Sequence, residues 1–362
     1  MIEAKRADRR KLDNAALAFP AVAGKRDSRV FRIYCRLRDA VEPEILQKAL
    51  ERTVIRHPVF QCVLKRGPFW FYLKKSDIHP LVKRETDSPC GPLYRRGREN
   101  LLYQVTYREN VINMEAFHAL TDGAGAVAFL TDIVSVYLDL KYGMRERAPE
   151  PASLMEQEED SFGRNYDSGK QAAQTRRSSP ARQIAGRRLR QADMRIMEYT
   201  APVRQLREKS QEHGCSITVY LASVFLCSIA ESMGEAGYGK PIALMVPVNL
   251  RKYYDSKSMA NFFGWMEIEY CFKPSATFGQ VAAHVKERFA QDLKKEQVAL
   301  RMNRLVRAER NPVLAAVPLG VKNFFLRIGA WFGSRNVTAV FSNLGPVVMP
   351  DAYQPYIEGF GV

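Results

Sequence analysis

The sequence predicts a mixed α+β fold built as two halves with a charged linker between them. At 362 residues the chain exceeds the length at which a single hydrophobic core stops growing, which favours two domains. Both halves contain segments with the two-residue period of strands and segments of helical period, whereas the stretch between them loses periodicity. We therefore expect an N-terminal domain over 1–148, a linker over 149–194 and a C-terminal domain over 195–362.

The first elements of the N-terminal half follow a strand, helix, strand order. Residues 31–37 alternate like a strand, and Pro43 begins a helix that Pro58 ends. Two further strands are expected over 59–64 and 69–73, because the Lys, Arg, Gly and Pro between them are typical of a turn.

The remaining elements of this half lead directly to a polar loop. Residues 101–107 and 111–117 predict a hairpin whose second strand runs straight into His118. After the break at Asp122 and Gly123, apolar residues repeat at helical spacing from Ala126 to Leu138, which predicts a helix of four to five turns.

The C-terminal half contains the same kinds of element in another order. Helices are predicted over 203–213, over 218–233 and, as an amphipathic helix, over 278–296. Strands are predicted over 194–199, 242–250, 265–272 and 338–345. No internal repeat of fixed period occurs, so a solenoid or propeller is not expected.

The charge of the chain favours anionic partners. There are 55 Lys and Arg against 39 Asp and Glu, a net charge of +16. The segment 164–195 alone has nine basic and two acidic residues, which suits either a solvated linker or an electrostatic funnel for a phosphorylated ligand. Because its aromatic residues do not interleave with the basic ones, no specific nucleic-acid partner is expected, and peripheral contact with a membrane stays open.

The cysteines and the apolar segments point to an ordinary reduced protein. The six cysteines are scattered without a C-x-x-C or a histidine at metal-ligand spacing, so neither a metal site nor a disulfide framework is expected. The N-terminus lacks an apolar run of secretory length, and no window of about 18 uncharged apolar residues is found. We expect a cytoplasmic monomer without a transmembrane segment.

Residues 117–130, FHALTDGAGAVAFL, permit two readings. From Gly123 the stretch matches the glycine-rich loop of dinucleotide-binding folds, but the preceding strand ends too early and no acidic residue ends a second strand at the required distance. From His118 it places a histidine four residues before Asp122 and Gly123. A histidine is suited to general acid/base chemistry near neutral pH, so we favour the second reading.

Six motifs along the chain resemble the bacterial alcohol acetyltransferase family. This family belongs to the superfamily of chloramphenicol acetyltransferase and the condensation domains of peptide synthetases. The motifs occur in matching order over more than 300 residues: KLDNAA, RHPVFQCVL, FHALTDG, VPVNLR, NFFG and SNLGPV. The resemblance implies two chloramphenicol acetyltransferase-like domains with a channel between them. It also implies further residues beyond the match to IEGFGV, so the C-terminal domain is expected to be truncated at its end.

The resemblance also implies roles for individual residues. His118 is expected to be the general base, and Asp122 to shape its loop by pairing with Arg251 rather than by proton transfer. Gly123 is expected to leave space at the channel wall, or to be a plain turn glycine. Asn343 and Gly345 are expected in a loop beside the channel, or in a simple turn after a strand.

The function implied is transfer of an acyl group from acyl-coenzyme A to an alcohol or an amine. Many condensation domains have two histidines in this motif, whereas the first position here is Phe117, which favours simple O- or N-acylation over peptide condensation. Acyl-coenzyme A would be a co-substrate, with no bound cofactor and no metal. The alternative is a catalytically degenerate relative that binds an acyl or thioester ligand, or a carrier-bound partner, without turnover.

Overall fold

The computed structural model describes residues 8–25, 27–144, 150–169, 179–187, 189–190 and 193–362. Much of the basic part of the expected linker, including Lys170, Arg176, Arg177 and Arg188, lies outside these residues.

The first half begins with short elements and ends in one long helix. Its strands are β1 (Arg9–Lys11), β2 (Val30–Leu37), β3 (Cys62–Arg66), β4 (Phe71–Lys75), β5 (Val82–Arg84), β6 (Tyr103–Arg108) and β7 (Val111–Phe117). Its helices are α1 (Phe19–Val22), α2 (Pro43–Arg56) and α3 (Gly123–Tyr142), followed by α4 (Leu154–Gln157) and α5 (Ser161–Arg164).

The second half alternates helices and strands. Its helices are α6 (Val203–Glu212), α7 (Ile217–Met233), α8 (Phe278–Asp292), α9 (Lys295–Glu309), α10 (Pro312–Ala316) and α11 (Leu319–Ser334). Its strands are β8 (Ile242–Asn249), β9 (Phe263–Tyr270), β10 (Ala339–Val340) and β11 (Ile357–Gly361).

A five-stranded sheet forms the centre of the first half. Its strand order is β11-β2-β7-β6-β5, and β2 pairs with β7 antiparallel with Val30 opposite Phe117. A separate sheet of order β1-β4-β3 lies beside it. The helices α2 and α3 bury one face each in the same core, which contains Leu46, Leu50 and Ile133. The predicted mixed α+β class is therefore confirmed.

A smaller sheet forms the centre of the second half. Its order is β10-β8-β9, with β8 antiparallel to β9 and β10 parallel to β8. The helices α7 and α8 pack against it through Leu226, Val281 and Val285. Both helices begin with a side-chain cap, from Ser216 for α7 and Thr277 for α8, which supplies an acceptor for an otherwise unpaired backbone N–H.

Two strands expected in the second half differ from the structure. Residues 194–199 form no strand, and the side chains of Met197 and Tyr199 are 80% and 91% exposed. Within 338–345 only Ala339–Val340 is a strand. In both cases a short run of apolar residues resembles a strand, but a strand forms only where a neighbouring chain accepts its hydrogen bonds.

The last strand of the chain joins the first half. β11 pairs antiparallel with β2, and Tyr353, just before it, is fully buried and donates to Asp139 of α3 at 2.9 Å. No local pattern in the sequence predicts that a strand of the second half pairs with the first half, because the two paired strands are separated by about 320 residues. The division into domains over 1–148 and 195–362 stays a prediction. If it holds, β11 belongs by sequence to the second domain and by strand pairing to the sheet of the first.

Two stretches of the described residues are long and apolar enough to cross a membrane by length and composition alone. They are 123–142, of which 56% of the apolar window is buried, and 217–236, of which 28% is buried. Core helices of globular proteins pass the same test, so the finding is weak.

A buried ion cluster ties the five-stranded sheet together. Glu115 of β7 is 1% exposed and accepts from Arg32 of β2, from Gln104 of β6 and from the backbone N–H of Cys90. Arg32 also pairs with Glu85, and these two carboxylates raise the pKa of the Arg32 guanidinium against the effect of its burial. Because the donors surround Glu115, its loss leaves Arg32 buried with a single partner.

We predict that Glu115→Ala lowers the free energy of unfolding by about 3–5 kcal/mol, the usual cost of removing one side of a buried pair. The control is Glu208→Ala, which removes the exposed pair with Arg204 and should change it by about 1 kcal/mol or less. Urea unfolding followed by circular dichroism measures both. Equal losses in the two variants would show that the cluster does not hold the sheet.

Candidate active site

The backbone of His118 is held from both halves of the molecule. It lies one residue after β7, and its N–H donates to the carbonyl oxygen of Arg29 at 2.9 Å. Its own carbonyl oxygen accepts from the side-chain amide of Asn261 at 2.9 Å. Since Arg29 precedes β2 and Asn261 precedes β9, the position of His118 depends on the contact between the halves.

The His118 imidazole lies among aromatic rings from three elements. Phe19 of α1 stacks on it with centroids 4.9 Å apart and Phe31 of β2 lies at 4.4 Å, while Phe263 of β9 is 6.3 Å away. The ring is partly exposed, but its Nδ1 atom is buried and has no hydrogen-bond partner among the described residues. Because Nδ1 is buried, a ligand can reach the imidazole only from the exposed side of the ring, and a proton would be exchanged there.

These surroundings keep the imidazole neutral. Burial lowers the pKa of His118 to about 4, and the Asp122 carboxylate opposes this only in part. At neutral pH the ring is therefore uncharged and able to accept a proton.

Asp122 has its hydrogen-bonding capacity filled by donors other than His118. One carboxylate oxygen accepts from the Gly125 N–H at 3.0 Å and caps the N-terminus of α3. The other accepts from Arg251 at 2.7 Å and from the backbone N–H of Phe262 at 2.8 Å. Among the described residues no hydrogen bond joins Asp122 to His118.

Arg251 reaches Asp122 from the short helix after β8. Its Nη1 donates to the Asp122 carboxylate, and its other nitrogens donate to the carbonyl oxygens of Ser258 and Ala260 at 2.6–3.2 Å. The pair is mostly buried, with 15% of the Arg251 side chain and 6% of the Asp122 side chain exposed. The ion pair expected from the resemblance is thus present, and it joins the two halves.

Asp13 and Asn261 form a second junction that the sequence did not single out as a site. The Asn261 amide donates to the Asp13 carboxylate at 3.0 Å and to the His118 carbonyl oxygen, and the Asn261 N–H also reaches Asp13. Burial raises the pKa of Asp13 to about 7 against these hydrogen bonds, with a small contribution from the Asp122 charge. The two residues belong to the motifs KLDNAA and NFFG, but 248 positions separate them.

Close packing requires a glycine at position 125, whereas a Cβ at position 123 would meet only the movable end of the Leu344 side chain. A Cβ on Gly125 would lie 2.5 Å from the Met259 carbonyl oxygen of the other half and would also meet the Thr121 hydroxyl. A Cβ on Gly123 would lie 2.5 Å from the Leu344 side chain. With Asp122 already capping the helix through Gly125, the N-terminus of α3 does not have the open form of a phosphate cradle.

Asn343 and Gly345 lie in a turn beside this loop. The Asn343 side chain accepts from the Gly345 N–H and donates to the Thr218 hydroxyl, both at 2.8 Å. Gly345 has a φ of +76°, a conformation that favours glycine. Leu344 between them contacts the position of Gly123 and, with Ile33 and Val127, lines a small apolar cavity of about 90 Å³ between the halves.

The structure therefore brings four of the six expected residues to one loop and two to its neighbour. His118, Asp122, Gly123 and Arg251 meet at the junction, whereas Asn343 and Gly345 flank Leu344, which contacts the position of Gly123. Among the described residues no group of three or more His, Cys, Asp or Glu side chains has the arrangement of a metal site.

One family model matches part of the chain. It is the C-terminal region of phthiocerol/phthiodiolone dimycocerosyl transferase, and it matches residues 190–324. No curated protein sequence matches the chain at a significant level.

Solved structures match over most of the chain at low sequence identity. F. graminearum TRI101 bound to coenzyme A and deoxynivalenol is 11% identical, covers 98% of this chain and 88% of its own, and has a TM-score of 0.61. Polyketide synthase associated protein 5 from Mycobacterium tuberculosis is 17% identical, with 80% and 75% covered and a TM-score of 0.53.

A condensation domain extends the comparison. The starter condensation domain of rhizomide synthetase RzmA, in complex with C8-CoA, is 12% identical, with 86% of this chain and 77% of its own covered and a TM-score of 0.54. The resemblance inferred from the sequence is therefore confirmed at the level of the fold, which the chain shares with these chloramphenicol acetyltransferase-like proteins.

Proposed function

We propose that the chain transfers an acyl group from acyl-coenzyme A to a hydroxyl or an amine, with His118 as the general base. The observation that carries this proposal is the neutral imidazole of His118, which is partly exposed and is fixed at the junction of the two halves. A thioester donor and a protic acceptor need a base of this kind and no metal.

The step itself is a direct transfer. His118 takes the proton of the acceptor O–H or N–H as that atom attacks the thioester carbonyl carbon, which forms a tetrahedral oxyanion. The C–S bond then breaks, and the imidazolium returns the proton to the departing coenzyme A thiolate.

Asp122 and Arg251 take no part in proton transfer in this proposal; they position the loop that bears His118. We propose that their ion pair sets the loop on which His118 lies, and that Gly123 and Gly125 keep the loop close to the opposite half. Asn343 and Gly345 support the same loop through the contact of Leu344 with Gly123.

Coenzyme A as co-substrate is supported by the relatives that contain it. TRI101 is bound to coenzyme A and the RzmA domain to C8-CoA. The net charge of +16 suits a phosphorylated donor. We propose a cytoplasmic monomer without a bound cofactor.

Loss of the base should remove turnover. We predict that His118→Ala lowers acyl transfer by ~10²- to 10⁴-fold, the range for a single general base. His79→Ala is the control, because its side chain is 62% exposed and lies beside Glu51 of α2. Thiol release from a panel of acyl-coenzyme A donors with alcohols and amines is the measurement.

The same screen tests the non-catalytic alternative. Near-normal turnover in His118→Ala would contradict the mechanism. A wild-type protein that binds acyl-coenzyme A yet releases no thiol with any acceptor would identify a ligand-binding relative instead.

The pH dependence should reflect the low pKa of the base. Since the neutral imidazole is the active form and its pKa is about 4, kcat/KM should stay flat as pH falls from 8 to about 5 and be lost only near pH 4. An acid limb near pH 6.5, with the fold intact by circular dichroism, would show that burial does not depress this pKa.

Asp122 should matter through stability. We predict that Asp122→Ala and Arg251→Ala each lower the free energy of unfolding by ~3–5 kcal/mol, and that remaining activity keeps the acid limb of the wild type. Asp193→Ala, which removes an exposed pair with Arg190, is the control. An Asp122→Ala protein of unchanged thermal stability and no activity would indicate a direct chemical role.

A further inference from the structure

The helix α11 is apolar and almost entirely exposed. Of its 16 residues, Leu319–Ser334, only Leu319 is buried. A helix rich in large apolar side chains is normally covered by the rest of the protein. Exposure of such a helix along its whole length indicates a surface made for contact with something else.

Six of the seven large apolar side chains exposed on α11 share one face, and the seventh, Leu326, is 38% exposed on another side. At about 100° per residue the six fall within an arc of about 120°. Phe325 is 63% exposed, Phe324 60% and Trp331 56%. The set, which we call the α11 apolar face, is Val321, Phe324, Phe325, Ile328, Trp331 and Phe332.

Two basic side chains that flank the α11 apolar face fasten the helix to the first half. Arg327 donates to the carbonyl oxygen of Ala21 in α1 at 2.7 Å. Lys322 donates to the carbonyl oxygens of Phe69 and Ala315 at 3.1 Å, and its ammonium lies 3.3 Å from the Trp70 ring centroid. These contacts hold the α11 apolar face outward.

The stretch of sequence that contains α11 has positively charged residues and no negatively charged ones. Residues 310–350 contain no Asp or Glu, and their basic residues are Arg310, Lys322, Arg327 and Arg335. Arg335 lies at the end of the helix with its guanidinium 5.0 Å from the Trp331 ring. Bulky aromatic residues beside Lys and Arg are typical of helices that lie in the interface of an anionic bilayer.

We propose that the α11 apolar face docks on an anionic lipid surface. The helix would lie in the membrane plane with its phenyl and indole rings among the acyl chains and its basic residues at the headgroups. A second copy of the chain is a poorer occupant, because pairing this face with itself brings together basic residues with no acidic partner between 310 and 350.

Docking there would bring the bilayer close to the candidate base. Arg327 of α11 holds α1 through Ala21, and Phe19 of α1 stacks on the His118 ring at 4.9 Å. This consequence rests on the proposed function. A lipophilic substrate would then pass between the bilayer and the site without crossing water.

Vesicle sedimentation tests the docking independently of activity. The probes are vesicles of phosphatidylcholine alone and of phosphatidylcholine with an equal part of phosphatidylglycerol. The wild type should pellet with the anionic vesicles. Phe324→Ser combined with Trp331→Ser should weaken binding at least about tenfold, because it removes two aromatic side chains that would be buried in the bilayer. The matched control is Ile55→Ser, which removes an apolar side chain 79% exposed on α2.

Tryptophan fluorescence locates the contact. Anionic vesicles should shift the emission to shorter wavelength in the wild type, and Trp331→Phe should abolish the shift although Trp70 and Trp265 remain. Wild-type protein that stays in the supernatant, or binding equal in the double variant and the control, would overturn the proposal. So would a stable dimer in solution that the double variant dissociates, since the face would then be covered by a second copy.

Discussion

The carboxylate of Asp122 is the point on which the arrangement of the site depends. It caps α3, which belongs to the first half, and it accepts from Arg251 and the Phe262 N–H of the second. A buried carboxylate is stable only when its oxygens are satisfied, so the loop and the two halves must be assembled together. Loss of any one of these donors would loosen the segment that bears His118.

The second junction, between Asp13 and Asn261, also joins the two halves. It makes the free energy of unfolding depend on pH. The pKa of Asp13 is raised to about 7, so its contribution to stability is lost as pH rises from about 4 through 7. The pKa of His118 is lowered from 6.5 to about 4, so its contribution is lost as pH falls through that interval. Between about pH 4 and 6.5 the two effects oppose each other.

The sequence pattern predicts those helices and strands that depend on interactions between neighbouring residues. The helices α2 and α3 and the hairpin of β6 and β7 follow from periodicity and from the breaks at Pro58 and Gly123. The pairing of β11 with β2 and the contact of Asp13 with Asn261 depend on distant partners, which no local signal reveals. The resemblance pointed to Asp122 and Arg251 for the same site, whereas composition and spacing alone would have left them unconnected.

We propose that His118 is a neutral base because the junction of the halves buries it. Nuclear magnetic resonance titration of the imidazole tests this directly, with the His118 resonance identified by its loss in His118→Gln among the five histidines. The His118 resonance should keep its neutral chemical shift down to about pH 5 and titrate near pH 4. A midpoint near 6.5 in the folded protein would contradict it.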